Sequence, residues 1–151
     1  MKRIAKKHAR RAPSERLVRL ALRLWMTDPC WDAIGELQRR GSPAMLASAR
    51  ALARSPSSRK RALGLYVSAQ LRIRSPDSHW VGDPYAVEET QALLLAGLRD
   101  AHTEVVRAAV SGLGHRPHAS ALEALVDLSR HAQAHLRWDV AVTLASYRQP
   151  A

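Results

Sequence analysis

The residues whose types and spacing first invite a chemical reading are the histidines and the single thiol. Six of the seven His lie between residues 79 and 135, and His131 and His135 stand four apart across a helix start. His115 and His118 flank Pro117 in a second turn. Distance keeps the two sets from forming one metal site. The His115–His118 turn connects two helical pairs and the His131–His135 turn lies inside a pair, a helix length away. That is about 16 Å for roughly 11 residues, whereas zinc holds imidazole nitrogens at about 2.0–2.1 Å. Both sets are therefore read as loop histidines. Cys30 has no Cys or His close in sequence and reads as a buried, inert thiol, and one cysteine excludes an internal disulfide framework. No Gly-rich phosphate loop, nucleophile elbow or paired metal motif occurs. The expectation is a chain with no catalytic residue, no cofactor and no metal.

What remains is charge, and it is placed unevenly. The net charge is +11, with 18 Lys and Arg against 4 acids up to residue 74, then 6 against 9. Such a gradient calls for an acidic partner of the first half: a protein surface, nucleic acid or an anionic membrane face. The candidate contact residues are Lys2, Arg3, Lys6, Lys7, Arg10 and Arg11 in the opening segment, and the run Arg59, Lys60 and Arg61. Aromatic residues make up 5% of the chain and are not interleaved with these clusters in sequence. Nucleic-acid binding, if present, would then be backbone-directed and strongly salt-dependent.

These residues need elements to hold them. Residues 1–12 lack both acids and an apolar face and read as a flexible basic arm. From Pro13 onward, Leu17, Leu20, Ala21 and Leu24 mark an apolar stripe opposite Arg16, Arg19 and Arg23, a basic amphipathic helix read as the cap of a helical stack. Asp28-Pro29 predicts a helix start with Asp as N-cap, and Ser42-Pro43 predicts a second. Further helices are predicted from about Ser58 to Leu71, Val87 to Leu98, Thr103 to Leu113, Ala119 to Ser129 and His135 to Tyr147. Gly112 and Gly114 are read as the end of one of them. The stretch from Ile73 to Ala86 is the one long irregular connection, and its role stays open. Every other link is short, which makes sequential helices antiparallel neighbours.

A self-match 31 residues apart fixes the architecture: Val105, Ala109 and Leu113 fall on Leu136, Val140 and Leu144. A helical repeat of this length is a two-helix unit that must stack on a neighbour to bury its apolar face. The expected fold is all-α, an α-solenoid (α-α superhelix) of about three helical hairpins plus two N-terminal helices, spanning residues 13–151. From Asp28 to Tyr147 the pattern resembles the bacterial HEAT-like, armadillo-like repeat proteins. It rests on Arg61-Ala62-Leu63-Gly64 with Ala69-Gln70-Leu71, and on Glu88 to Leu113 continued through Tyr147. The resemblance implies that the second helix of each pair lines a concave face, with Arg107 and Arg137 as candidates there. It also implies an Asp–Arg ladder through the stack. Asp100 is present, but Val106 stands at the Arg position of its unit, and Arg137 is present while His131 stands at the Asp position. The ladder is read as broken, and the stack as a short, gently curved block.

The functional expectation is a cytoplasmic, non-catalytic binding module or scaffold that docks a protein partner, acidic for the basic half, on its concave face. The alternative is a non-specific nucleic-acid-binding accessory protein. A third thread is a resemblance to DNA glycosylases built from HEAT-like repeats, which use Trp and Asp on a basic concave face. Trp31-Asp32 and Trp138-Asp139 are the matching pairs here. No apolar run is long enough to span a bilayer.

Overall fold

A computed structural model of the chain describes residues 12–74 and 82–147. The described residues form α1 (Ser14–Arg23), α2 (Asp28–Gln38), α3 (Pro43–Ala53), α4 (Ser58–Ala69), α5 (Val87–Gly97), α6 (Thr103–His115), α7 (Leu122–Leu128) and α8 (Ala134–Ala145). The expected all-α repeat fold is the one observed. The two opening helices are themselves an antiparallel pair, so the stack holds four hairpins: α1–α2, α3–α4, α5–α6 and α7–α8. Neighbouring second helices touch one another, α2 to α4 to α6 to α8, while neighbouring first helices scarcely meet. That difference puts the second helices on the inside of the curve.

Local chemistry explains most starts. Ser42 accepts from the Met45 amide at 3.1 Å ahead of Pro43, the predicted device. Ser57 caps α4 the same way through the Lys60 amide. At α2 the expectation fails: Thr27, not Asp28, is the N-cap residue, and no side chain caps the helix. The Thr27 hydroxyl turns back to donate to the Leu24 carbonyl at 2.5 Å, because Met26 in left-handed conformation (φ 63°) folds the chain tightly there. The predicted helix from Ala119 begins as a 3-10 turn over Ala119–Ala121 before α7 proper.

Helix α4 sits at the centre. Beyond its polar first turn it is enclosed nearly all round from Ala62 to Ala69, and it serves two cores. Ala62, Leu65 and Ala69 join the cluster built on α5, α6 and α8, while Leu63 and Val67 join the cluster built on α1, α2 and α3. Close approach is bought with missing side chains. A Cβ on Gly64 would stand 2.6 Å from the Ala53 nitrogen and 2.7 Å from the Ala49 carbonyl oxygen of α3. Gly112 was expected to end its helix, but α6 runs on to His115. Gly112 is instead a packing contact: a Cβ there would displace the Leu94 side chain and press on the Ala69 methyl.

The long connection is not wholly irregular. Arg72–Ile73 pairs antiparallel with Asp83–Pro84 (Arg72 opposite Pro84), and Gly82 takes the positive φ of 82° next to that ladder. Arg116, almost fully buried, bolts the connection down by donating to the carbonyls of Leu71 and Tyr85 and to the Thr90 hydroxyl.

Candidate functional site: the inner row of second helices

Each turn leading into α4, α6 and α8 is built on one plan. A side chain three residues before the helix accepts from the amide two residues on: Ser55 from Ser57, Asp100 from His102, and His131 Nδ1 from Gln133. Within α4 and α8 the fourth residue is an Arg whose Nη1 donates back to two turn carbonyls. Arg61 reaches those of Ser55 and Pro56, and Arg137 those of His131 and Ala132. Three different residue types thus occupy one structural seat. His131 is part of this turn device, and His118 Nδ1 likewise accepts from the Ser120 amide at 3.2 Å. Among the described residues no group of three or more His, Cys, Asp and Glu side chains stands together as a metal site would require.

The ladder needs correction. Val106 does occupy the Arg position of its unit, yet Asp100 is not left without an Arg. Arg61 reaches forward from the preceding unit, its Nε 2.7 Å from Oδ2 and its Nη2 3.0 Å from Oδ1. This bidentate bond raises the Arg61 pKa and holds the Asp100 carboxyl below its ordinary value. A second rung follows: Arg107 of α6 donates to Asp139 of α8 at 2.5 Å, and that hydrogen bond raises the Arg107 pKa. Near the first rung the Ser58 hydroxyl donates to Glu104, whose charge also acts on Arg61. The carboxylates and guanidinium groups of the inner row are therefore largely engaged with one another.

Three of the predicted site residues are thus tied by hydrogen bonds: Arg61, Arg107 and Arg137. Arg59 and Lys60 are exposed, as are Arg16, Arg19 and Arg23 of α1. Lys2, Arg3, Lys6, Lys7, Arg10 and Arg11 lie outside the described residues. The two Trp–Asp pairs do not form one centre. Trp31 and Asp32 are exposed on α2, Asp139 is held by Arg107, and Trp138 is exposed on α8.

An aromatic cluster escaped the sequence reading. Trp25, from the α1–α2 turn, lies 6.2 Å from Tyr66 of α4, and Trp31 meets the same ring edge-on at 5.0 Å. The Arg59 guanidinium sits over Trp25 at 5.8 Å. Tyr66 is half-buried and burial pushes its phenol up, whereas Trp31 keeps 39% of its surface exposed. Gln38 fixes the backbone here by donating to the Tyr66 carbonyl at 2.8 Å. Aromatic and basic residues that are separate in sequence are interleaved in space, at the basic end of the inner row. No local signal joins residues 25, 31, 59 and 66; only the pairing of α2 with α4 does.

Cys30 is fully buried, and burial raises its thiol pKa, which disfavours the reactive thiolate. No described helix is long and apolar enough to cross a membrane. Residues 91–151 match the family model described as HEAT repeats. No curated protein and no solved structure gives a match.

Proposed function

We infer that the chain is a cytoplasmic, non-catalytic module that docks a protein partner on the inner row of second helices, a reading supported by the match of residues 91–151 to HEAT repeats, which generally mediate protein–protein interaction. One observation carries the reading: the Trp25–Trp31–Tyr66 cluster with Arg59 at the basic end of that row. Exposed Trp and Arg on a firm helical base are the residues that dominate protein interfaces. The surrounding cations, Arg23, Arg59 and Lys60, favour an acidic partner and speed its encounter.

The same cluster supports a second reading, non-specific nucleic-acid binding, because base stacking on Trp31 beside Arg59 and Lys60 would couple aromatic and phosphate contacts. A photo-crosslinking residue placed at Trp31 or at Arg59, with the outward Ala47 as control, separates the two. Nuclease-resistant protein adducts at the inner positions alone are expected. Adducts to nucleic acid, with oligonucleotide affinity falling steeply in salt, replace the first reading by the second. Equal labelling at Ala47 rejects both.

A further inference from the structure

The contacts that join successive second helices also bring their entry turns together. Arg59 sits over Trp25 of the first turn, Arg61 bonds Asp100 of the third, and Arg107 bonds Asp139 near the start of α8. The turns inside the four hairpins therefore lie along one edge of the stack. In the last three of these turns an arginine precedes the seat residue: Arg54 before Ser55, Arg99 before Asp100 and Arg130 before His131. The seat changes type from unit to unit, and its neighbour does not. All three arginines are exposed, and none makes an ion pair among the described residues. Packed helices stand about 8–10 Å apart, so the row spans roughly 20 Å.

The surroundings reinforce the row. Asp100 and Asp139 are taken up by Arg61 and Arg107, and Glu104 receives the Ser58 hydroxyl. The exposed acids of this edge, Asp28, Asp32 and Asp127, are outnumbered by the row together with Arg23, Arg59 and Lys60. Helices α6 and α8 begin here with no side-chain cap, so their first amides add the positive end of the helix dipole. The segments 55–57, 100–102 and 131–133 hold no large apolar side chain, no Trp and no Tyr.

We propose that this edge binds the sugar-phosphate backbone of duplex nucleic acid, without regard to base sequence. Unpaired guanidinium groups and helix amino ends are the groups that meet phosphate oxygens. A protein partner would need an apolar centre, which the edge lacks. A single strand would need aromatic rings alternating with the cations, and those of Trp25 and Trp31 lie at one end of the row only. With a rise of about 3.4 Å per base pair, roughly six pairs lie against the three arginines. The assignment goes beyond the inner-row reading and does not rest on it, because the row needs neither Trp31 nor a protein partner.

Fluorescence anisotropy of a short labelled duplex of random sequence, titrated with the intact chain across a salt series, tests this. Log affinity should fall linearly with log salt, and Arg54→Gln, Arg99→Gln and Arg130→Gln should each reduce the slope by about one. The triple variant should reduce it by about three. Any contribution of the basic opening segment is common to all variants and cancels in these differences. Arg39→Gln removes the same charge at the opposite edge, where Arg39 pairs with Glu36, and should leave the slope unchanged. Trp31→Ala should do the same. Circular dichroism checks that each variant stays helical. No binding at low salt, an equal loss from Arg39→Gln, a loss from Trp31→Ala, or tighter binding of a single strand overturns the assignment. Polyglutamate that displaces the label as well as unlabelled duplex does would give the row to an acidic protein instead. A triple variant with a lower melting temperature and an unchanged slope would reduce the arginines to end charges of α3, α5 and α7.

Discussion

Asp100 is held by three donors, the Nε and Nη2 of Arg61 and the amide of His102. Its carboxyl is thereby kept below the ordinary value, mainly by the Arg61 hydrogen bond. Above the unfolded value of about 3.9, both states are ionised and the stabilisation is fully present. As the pH falls through the depressed native value, the carboxylate takes up a proton and the stabilisation is lost. Asp100→Asn should therefore lower the melting temperature at neutral pH and converge with the parent chain in acid. A melting series against pH reads this out. Parallel curves for the two proteins would deny the rung its role. Arg116 makes the opposite case, a buried cation with carbonyls rather than a carboxylate for partners, its pKa lowered by burial and by Arg72. Arg116→Met leaves those acceptors unpaired and should cost about 2–3 kcal/mol. Faster amide exchange is expected at Tyr85, whose N–H donates to the Leu71 carbonyl.

Among the helices, the contact of α3 with α4 is set by one absent side chain. Gly64→Ala gains up to about 1 kcal/mol of helix propensity. The new methyl, however, meets backbone atoms of Ala53 and Ala49 that cannot turn aside. A net loss of about 1–3 kcal/mol is expected from overpacking, measured by urea denaturation. A neutral or stabilised variant would mean that α3 and α4 slide apart freely. Helices were the legible part of the sequence because their signals are local: Ser42-Pro43 caps through an amide three residues away, and the 31-residue match marks two successive second helices. Where the signal was misread, a neighbour had decided. Gly112 looked like a stop and is a packing contact; Asp28-Pro29 looked like a cap, and the turn before it had already placed Thr27 there. The Arg61–Asp100 rung and the Trp25–Tyr66–Arg59 cluster join residues from different units. Nothing within either segment announces them before the units are stacked.

At the scale of the molecule, two cores meet at α4, and Trp25 and Tyr66 pack against both. A linear stack passes cooperativity only through such shared contacts. Tyr66→Ala should cost about 3 kcal/mol and also loosen the coupling. Tryptophan fluorescence and helical circular dichroism would then unfold at different urea concentrations, instead of together as in the parent chain. Coincident midpoints in the variant would place the coupling elsewhere along α4. Cys30 offers an independent view of the same behaviour. It is the chain's single thiol, wholly enclosed in the first hairpin. A bulky disulfide reagent can therefore reach it only while that hairpin stands open. Its labelling rate is a built-in stopwatch for one end of the molecule, readable without changing a residue, and comparison with amide exchange in α8 tells whether the two ends breathe independently.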